Sequence, residues 1–294
     1  MRILVAVDTT PASAFVVQEV ARLAATTWAD VTLLGIEAKS TPNEPSLATA
    51  EQADAQHPLV TSLRSRREGF LSHFGAEDSP YNETVCTHEL VKMQNGLWED
   101  LKVCRGAHKR LVSRIRPGNP ARAILLEAHQ SPCDLIVMGS HGADDGGENG
   151  RSVKKVIRET DASVLVVSES KQPKRIVACL DHDQVSQPSL EMINQMVTLY
   201  KADLEIVGIS SSDGLAGDVD RKMGEILKYY AANGIKALVR VVAQSSLASF
   251  AAQAARENLV ALWRGKQSLL RRLMPPKSVD RLLDGAGSSV LILK

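Results

Sequence analysis

The chain has 294 residues and a formal net charge of +1, from 35 basic and 34 acidic side chains. That length suits two domains of roughly 150 residues, each able to bury a core, and the balanced charge argues against a nucleic-acid binder or a protein drawn to anionic membranes. The cysteines Cys86, Cys104, Cys133 and Cys179 show no paired spacing, no apolar run reaches the ~18 residues of a membrane helix, and the opening lacks a leader pattern, so a reduced, cytoplasmic protein is expected.

In chain order, short apolar runs alternate with helical patterns, the signature of a parallel α/β sheet. Residues 2–7 read as a buried strand ending at Asp8. Thr10 and Pro11 then open a helix through about Ala25, with Val16, Val17, Val20, Leu23 and Ala24 on its apolar face. The second strand is 31–36. A long stretch at about 40–105 follows, with 59–74 helical and 75–96 a loop. The third strand, 110–115, is closed by the turn residues Arg116-Pro117-Gly118-Asn119-Pro120. A helix at 121–129, a strand at 134–138, a helix at 152–160 and a fifth strand at 164–167 complete the first half. A short polar linker at 170–174 surrounds Pro173.

The second half repeats the first. Arg2-Ile3-Leu4-Val5-Ala6-Val7-Asp8 is matched by Arg175-Ile176-Val177-Ala178-Cys179-Leu180-Asp181, an offset of 173, and the run from Ala29 to Ile36 is matched by Ala202 to Ile209 at the same offset. A period this long marks duplicated domains, here 1–169 and 174–294, with second-half strands near 175–180, 204–209, 237–242, 259–262 and 290–293. By the fourth strand the offset has fallen to 124 (Asp134 against Asn258), so the first half carries about 49 extra residues. An insertion of that size is either a lid or partner surface, or a tolerated elaboration.

In an open parallel sheet, ligands sit at the carboxyl ends of the strands where strand order reverses. Val7 and Asp8 fall there, as does Met138-Gly139-Ser140-His141-Gly142, which runs on through Asp144, Asp145, Glu148, Gly150 and Arg151 to Ser152. Glycines let backbone approach a phosphate, and the amides of the following helix favour an anion. Glycines also serve any mobile connection, and three acids in such a loop fit a solvated surface as well as a Mg²⁺ site.

These segments, with Ala162-Ser163-Val164-Leu165-Val166-Val167, resemble the universal stress protein family in its tandem form. The resemblance implies two doubly wound five-stranded parallel sheets whose last strands, 164–167 and 290–293, pair to make an intramolecular pseudo-dimer, with homodimers as a further expectation. In one branch of the family it also implies ATP bound through a G-x2-G-x9-G pattern followed by Ser or Thr. Asp8 would then lie near adenine or ribose, Ile36 and Met138 beside the base with Val7 at the strand end, and Gly139, Gly142 and Gly150 around the phosphates. The chain departs from that pattern: seven residues separate Gly142 from Gly150, and Arg151 takes the hydroxyl position with Ser152 one place later. Arg151 could contact phosphate in place of the hydroxyl.

In the second half, Trp263, Lys266, Pro276 and Lys277 stand at the glycine and hydroxyl positions, so nucleotide binding in the family's manner is not expected there. The surrounding Arg264, Arg271, Arg272 and Arg281 could hold an acidic protein partner or form a solvated face. Asp181-His182-Asp183 could bind a metal, but adjacent strand-end residues point in different directions and no second ligand cluster is visible; His141 as an acid or base has no evident partner in the sequence. The expected function is a stress-response binding protein with at most one ATP-type site, in the first domain. The alternatives are a nucleotide-hydrolysing or nucleotidyl-transferring enzyme, and a nucleotide-free scaffold.

Overall fold

A computed structural model of the chain describes residues 1–37, 47, 56–75, 79–81, 88–102, 109–140, 148–168, 172–181, 185–210, 217–265 and 268–294. The fold is mixed α/β with a mostly parallel sheet, and it divides into two compact units. The first comprises Met1–Gly139 and Gly147–Ala162; the second is built chiefly from Ser163–Lys294.

In the first unit the chain runs through β1 (Arg2–Val7), α1 (Ala12–Thr27), β2 (Asp30–Glu37), α2 (Pro58–Leu71), β3 (His88–Lys92), β4 (Trp98–Lys102), β5 (Leu111–Pro117), α3 (Pro120–Gln130), β6 (Leu135–Gly139) and α4 (Glu148–Glu159). Sheet order is β6-β1-β2-β5-β4-β3. The β6, β1, β2 and β5 ladders are parallel, with Val7 opposite Gly35 and Gly35 opposite Ile115. Both faces of these strands are covered, which is why they read as continuous apolar runs instead of alternating ones. α1 packs on α2, and α3 packs on α4.

The described part of the insertion holds a helix and two strands, and the expectation of a loop over 75–96 is corrected at 88–92, which is a strand. β3 and β4 form an antiparallel hairpin, and β4 pairs antiparallel with β5, placing Trp98 opposite Ile115. The turn closes through the Met93 amide on the Leu97 carbonyl at 2.7 Å, with Gly96 at φ +72°, a left-handed conformation that costs a glycine little. The sequence hides this hairpin because the four apolar residues of its strands, Leu90, Val91, Trp98 and Leu101, do not alternate with polar ones. Its stability comes from contacts distant along the chain: buried Trp98 donates its indole N–H to the Leu47 carbonyl at 3.1 Å, and the Leu47 amide donates to Glu37 Oε1 at 2.6 Å. Phe70 and Tyr81 meet edge to face at 5.0 Å, and the Tyr81 hydroxyl bonds the Ala29 carbonyl. The helix expected at 59–74 is α2.

The second unit takes up β7 (Ser163–Val167) and continues with β8 (Arg175–Cys179), α5 (Gln187–Tyr200), β9 (Asp203–Ser210), α6 (Gly217–Ala232), β10 (Ala237–Ala243), α7 (Leu247–Ala254), β11 (Leu259–Trp263), α8 (Leu269–Leu273), α9 (Pro276–Asp284) and β12 (Val290–Leu293). Its sheet order is β10-β9-β8-β11-β12-β7. All pairs are parallel except β12 with β7, where Val290 faces Val166 and Ile292 faces Val164. All five residues of β7 and all four of β12 are buried, so this pair of strands behaves as core. β10 ends the second unit's sheet with Leu238, Val239 and Val241 exposed, whereas its counterpart β5 carries the hairpin.

Among the described residues, Cys133 and Cys179 are free thiols. Burial, then the Glu205 carboxylate, pushes Cys179 up to about 12; burial, then Asp134, pushes Cys133 up to about 11. A raised thiol pKa keeps the protonated, unreactive form at all pH values below it, leaving about one thiolate in a thousand or fewer at pH 8. Iodoacetamide treatment of the native protein at pH 8, read by peptide mapping, is therefore expected to spare both residues while a free cysteine standard is consumed. Rapid labelling of Cys179 would show that β8 opens.

Candidate functional site

Strand order reverses at β1 in the first unit, with β2 on one side and β6 on the other. That arrangement opens a crevice at the carboxyl ends of these strands. Val7 ends β1, Ile36 lies at the end of β2, and Met138 and Gly139 end β6, so neighbouring strands bring four of the expected residues together. Val7 and Met138 are buried, and Ile36, Asp8 and Gly139 are half-buried.

Asp8 is positioned by the start of α1. Its Oδ1 accepts the Thr10 amide at 2.9 Å, the Thr10 hydroxyl at 2.6 Å and the Ser13 hydroxyl at 2.6 Å, while its own amide donates to Ser13 Oγ at 2.9 Å. Such bonds hold a carboxylate in one orientation and satisfy donors at a helix entrance. α2 then clasps the same turn: Ser62 Oγ donates to the Asp8 carbonyl at 2.9 Å, and Arg66 Nη2 donates to the Thr10 carbonyl at 2.8 Å. Sequence reasoning missed these contributors from the insertion. One signal was available in Gly35, a glycine inside a strand, which marks a close approach. A Cβ there would lie 2.9 Å from Leu63 Cδ1 of α2.

The three residues expected at the end of the glycine-rich loop lie elsewhere. α4 begins at Glu148, so Gly150, Arg151 and Ser152 belong to its first turns and not to a loop preceding a helix at 152. Buried Val153, Val156 and Ile157 give the helix its apolar stripe. Arg151 is exposed and Ser152 is buried. Gly142, His141, Asp144 and Asp145 lie outside the described residues. Gly139 packs closely on α1, where an added Cβ would press on Val16 Cγ2 at 3.3 Å.

The equivalent place in the second unit is closed. β8 lies between β9 and β11, and Asp181 follows it, only 2 % exposed. Its Oδ2 accepts the Leu269 amide at 2.5 Å, so the counterpart of Asp8 is bound to the first residue of α8, beside the Ser268 cap. Trp263, 5 % exposed, folds over Gly265, where a Cβ would come within 2.5 Å of the ring. Pro276 opens α9. An indole and a helix entrance thus occupy the space that glycines leave open. Arg271, Arg272, Lys277 and Arg281 are exposed on α8 and α9. Of these, Arg271, Arg272 and Arg281 lie in last turns, where cations suit the helix dipole. Lys266, His182 and Asp183 lie outside the described residues. Among the described residues, no group of three or more His, Cys, Asp or Glu is arranged to hold a metal ion, and no helix is long and apolar enough to cross a membrane.

A model of the universal stress protein family matches residues 1–168. No curated protein matches the chain in sequence. Among solved structures, the chain is similar to a universal stress protein from Archaeoglobus fulgidus, at 12% identity and a TM-score of 0.59, covering 100% of this chain and 96% of that one. It is similar to a putative universal stress protein from Pseudomonas aeruginosa at 14% identity and a TM-score of 0.61, covering 100% and 92%. It is also similar to the cytoplasmic domain of a prokaryotic cation chloride cotransporter at 13% identity and a TM-score of 0.55, covering 99% and 94%. At these identities the likeness is one of fold.

Proposed function

The chain belongs to the universal stress protein family, and on that premise we propose that it is a regulatory binding protein holding one adenine nucleotide, of ATP type, in its first unit. One observation carries this reading: of two equivalent switch points, the first keeps a half-buried carboxylate beside a glycine, and the second is filled by Trp263 and spends Asp181 on the Leu269 amide. A buried indole leaves no volume for a ligand, whereas a glycine at a strand end admits one.

In this reading the Asp8 carboxylate accepts an N–H or O–H from the adenosine. Ile36, Met138 and the end of β1 at Val7 supply apolar contact to the base. Gly139 and Gly142 let the backbone reach the phosphates, and the first-turn amides of α4 around Gly150 are donors without intrahelical partners. Arg151 and Ser152 stand in that turn, and the exposed Arg151 would meet phosphate from the solvent side. Mg²⁺ bound with the nucleotide would offset the charge of Asp144, Asp145 and Glu148 against the phosphates. The exposed cations of α8 and α9 would face an acidic protein partner.

The test is native mass spectrometry of the full chain with an ATP titration, with and without Mg²⁺. One nucleotide per chain is expected. Asp8→Asn keeps an oxygen for the Thr10 and Ser13 donors but loses the charge, and is expected to weaken binding roughly 10- to 150-fold, the worth of a hydrogen bond to a charged group. No binding at millimolar ATP, or two nucleotides per chain, would overturn the proposal. Phosphate release followed in the same titration separates a binding protein from a hydrolase.

A further inference from the structure

Away from the switch point, the first unit contains a cavity of about 220 Å³ under the insertion, between α2, the β3–β4 hairpin and β5. Its walls are largely carbon: Val60, Leu63 and Leu71 of α2 face Leu90 of β3. Its charged lining balances in number, with Arg64 and Arg67 against Glu68 and Asp100. Arg67 is nearly buried and donates to the Leu111 carbonyl at 3.0 Å. Ser113 also lines the cavity, on β5. It is 5 % exposed, and its hydroxyl has no hydrogen-bond partner among the described residues. A buried hydroxyl left unpaired costs about 1–3 kcal/mol, so its presence beside an open volume calls for a reason.

The internal repeat shows that the hydroxyl is not required by the fold. Ser113 pairs with Leu33 of β2, and the equivalent of Leu33 in the second unit, Ile206, pairs with Val239. Among the described residues, the valine copy has no hairpin beside it and the serine copy does. The polar side chain and the roof that makes the cavity therefore occur together.

We infer that this cavity is a binding site for a small, neutral, mostly apolar molecule carrying one hydrogen-bonding group, which Ser113 recognises. A dry cavity of about 150 Å³ holds benzene, so 220 Å³ suits roughly nine non-hydrogen atoms, the size of a substituted phenol. The balanced lining gives no preference for an ion, which separates this site from any that takes nucleotide phosphates. The Ser113 hydroxyl can rotate to donate or accept, and the apolar walls supply the affinity.

The experiment is calorimetric titration of the full chain with p-cresol and with toluene, against the variants Ser113→Ala and Leu90→Trp. The wild type is expected to bind both. Ser113→Ala should weaken p-cresol about 2- to 12-fold, the worth of one neutral hydrogen bond, and leave toluene unchanged. Without ligand, the same variant should melt no lower than wild type, because it removes an unpaired group. Leu90→Trp fills the cavity from its half-buried outer wall and should abolish both, while ATP binding stays as in the wild type in every variant. Absence of p-cresol binding at millimolar concentration, meaning a cavity that holds only water, would overturn the inference. So would p-cresol binding that Ser113→Ala and Leu90→Trp leave unchanged, or an equal loss of both probes in Ser113→Ala.

Discussion

Glu127→Ala is expected to lower the unfolding free energy by about 3–5 kcal/mol, the cost of removing one partner from a buried ion pair. Glu127 lies on α3 and is 1 % exposed. One carboxylate oxygen bonds Arg114 Nη1, and the other accepts Arg116 Nε at 2.5 Å. Arg114 also reaches Glu99 on β4 at 3.0 Å and the Ser131 hydroxyl at 2.8 Å, and Arg116 Nη2 reaches Gln130 Oε1 at 2.6 Å. The network joins the inserted hairpin, β5 and α3. Truncation would leave the Arg116 guanidinium, itself 3 % exposed, without its counter-charge in a place water cannot easily reach. Urea denaturation measures the loss, and a double change, Arg116→Met with Glu127→Leu, should recover much of it because it removes the charges along with their pairing. A single-variant loss under about 1 kcal/mol would show that water enters the network as it does at a surface pair.

Trp263→Gly is expected to cost about 3–5 kcal/mol and to create no second nucleotide site. Removing a large buried ring forfeits its packing and leaves a cavity, and glycine within a strand adds an entropic cost. Restoring the family's glycine does not reopen the crevice, because two further obstacles remain. The Asp181 carboxylate still holds the Leu269 amide at 2.5 Å, and Pro276 still begins α9 without an amide to donate. Thermal unfolding reads the first effect and native mass spectrometry with ATP reads the second. Two nucleotides per chain in this variant would mean that the indole alone had closed the second unit.

Much of this molecule could be read along the chain. The repeat of Arg2–Asp8 at Arg175–Asp181 announced two copies of one α/β unit, and the buried strands follow the apolar runs closely because both sheet faces are covered. The helix α2 was visible from its own periodicity. The hairpin of β3 and β4 was not, because its residues are mostly polar and its anchors, Leu47 and Ile115, are far away in sequence. The start of α4 was placed four residues late, since its early residues Asn149 and Gly150 look like turn formers. Helix periodicity begins to show only at Val153.

The sequence by itself therefore determined the architecture, the duplication and the strand-end positions of Asp8 and Asp181, because these rest on local propensity and on apolar patterns repeated at short range. Tertiary structure alone decided which aspartate stays at its crevice. Asp8 is held by Thr10 and Ser13, its immediate neighbours, and remains half-buried at the crevice. Asp181 is sealed in by Leu269, which lies 88 residues away. The cavity beside Ser113 is likewise bounded by α2, β3, β4 and β5, segments that meet only in the folded chain. Propensity acts on adjacent residues, whereas volume and burial depend on which distant segments pack together.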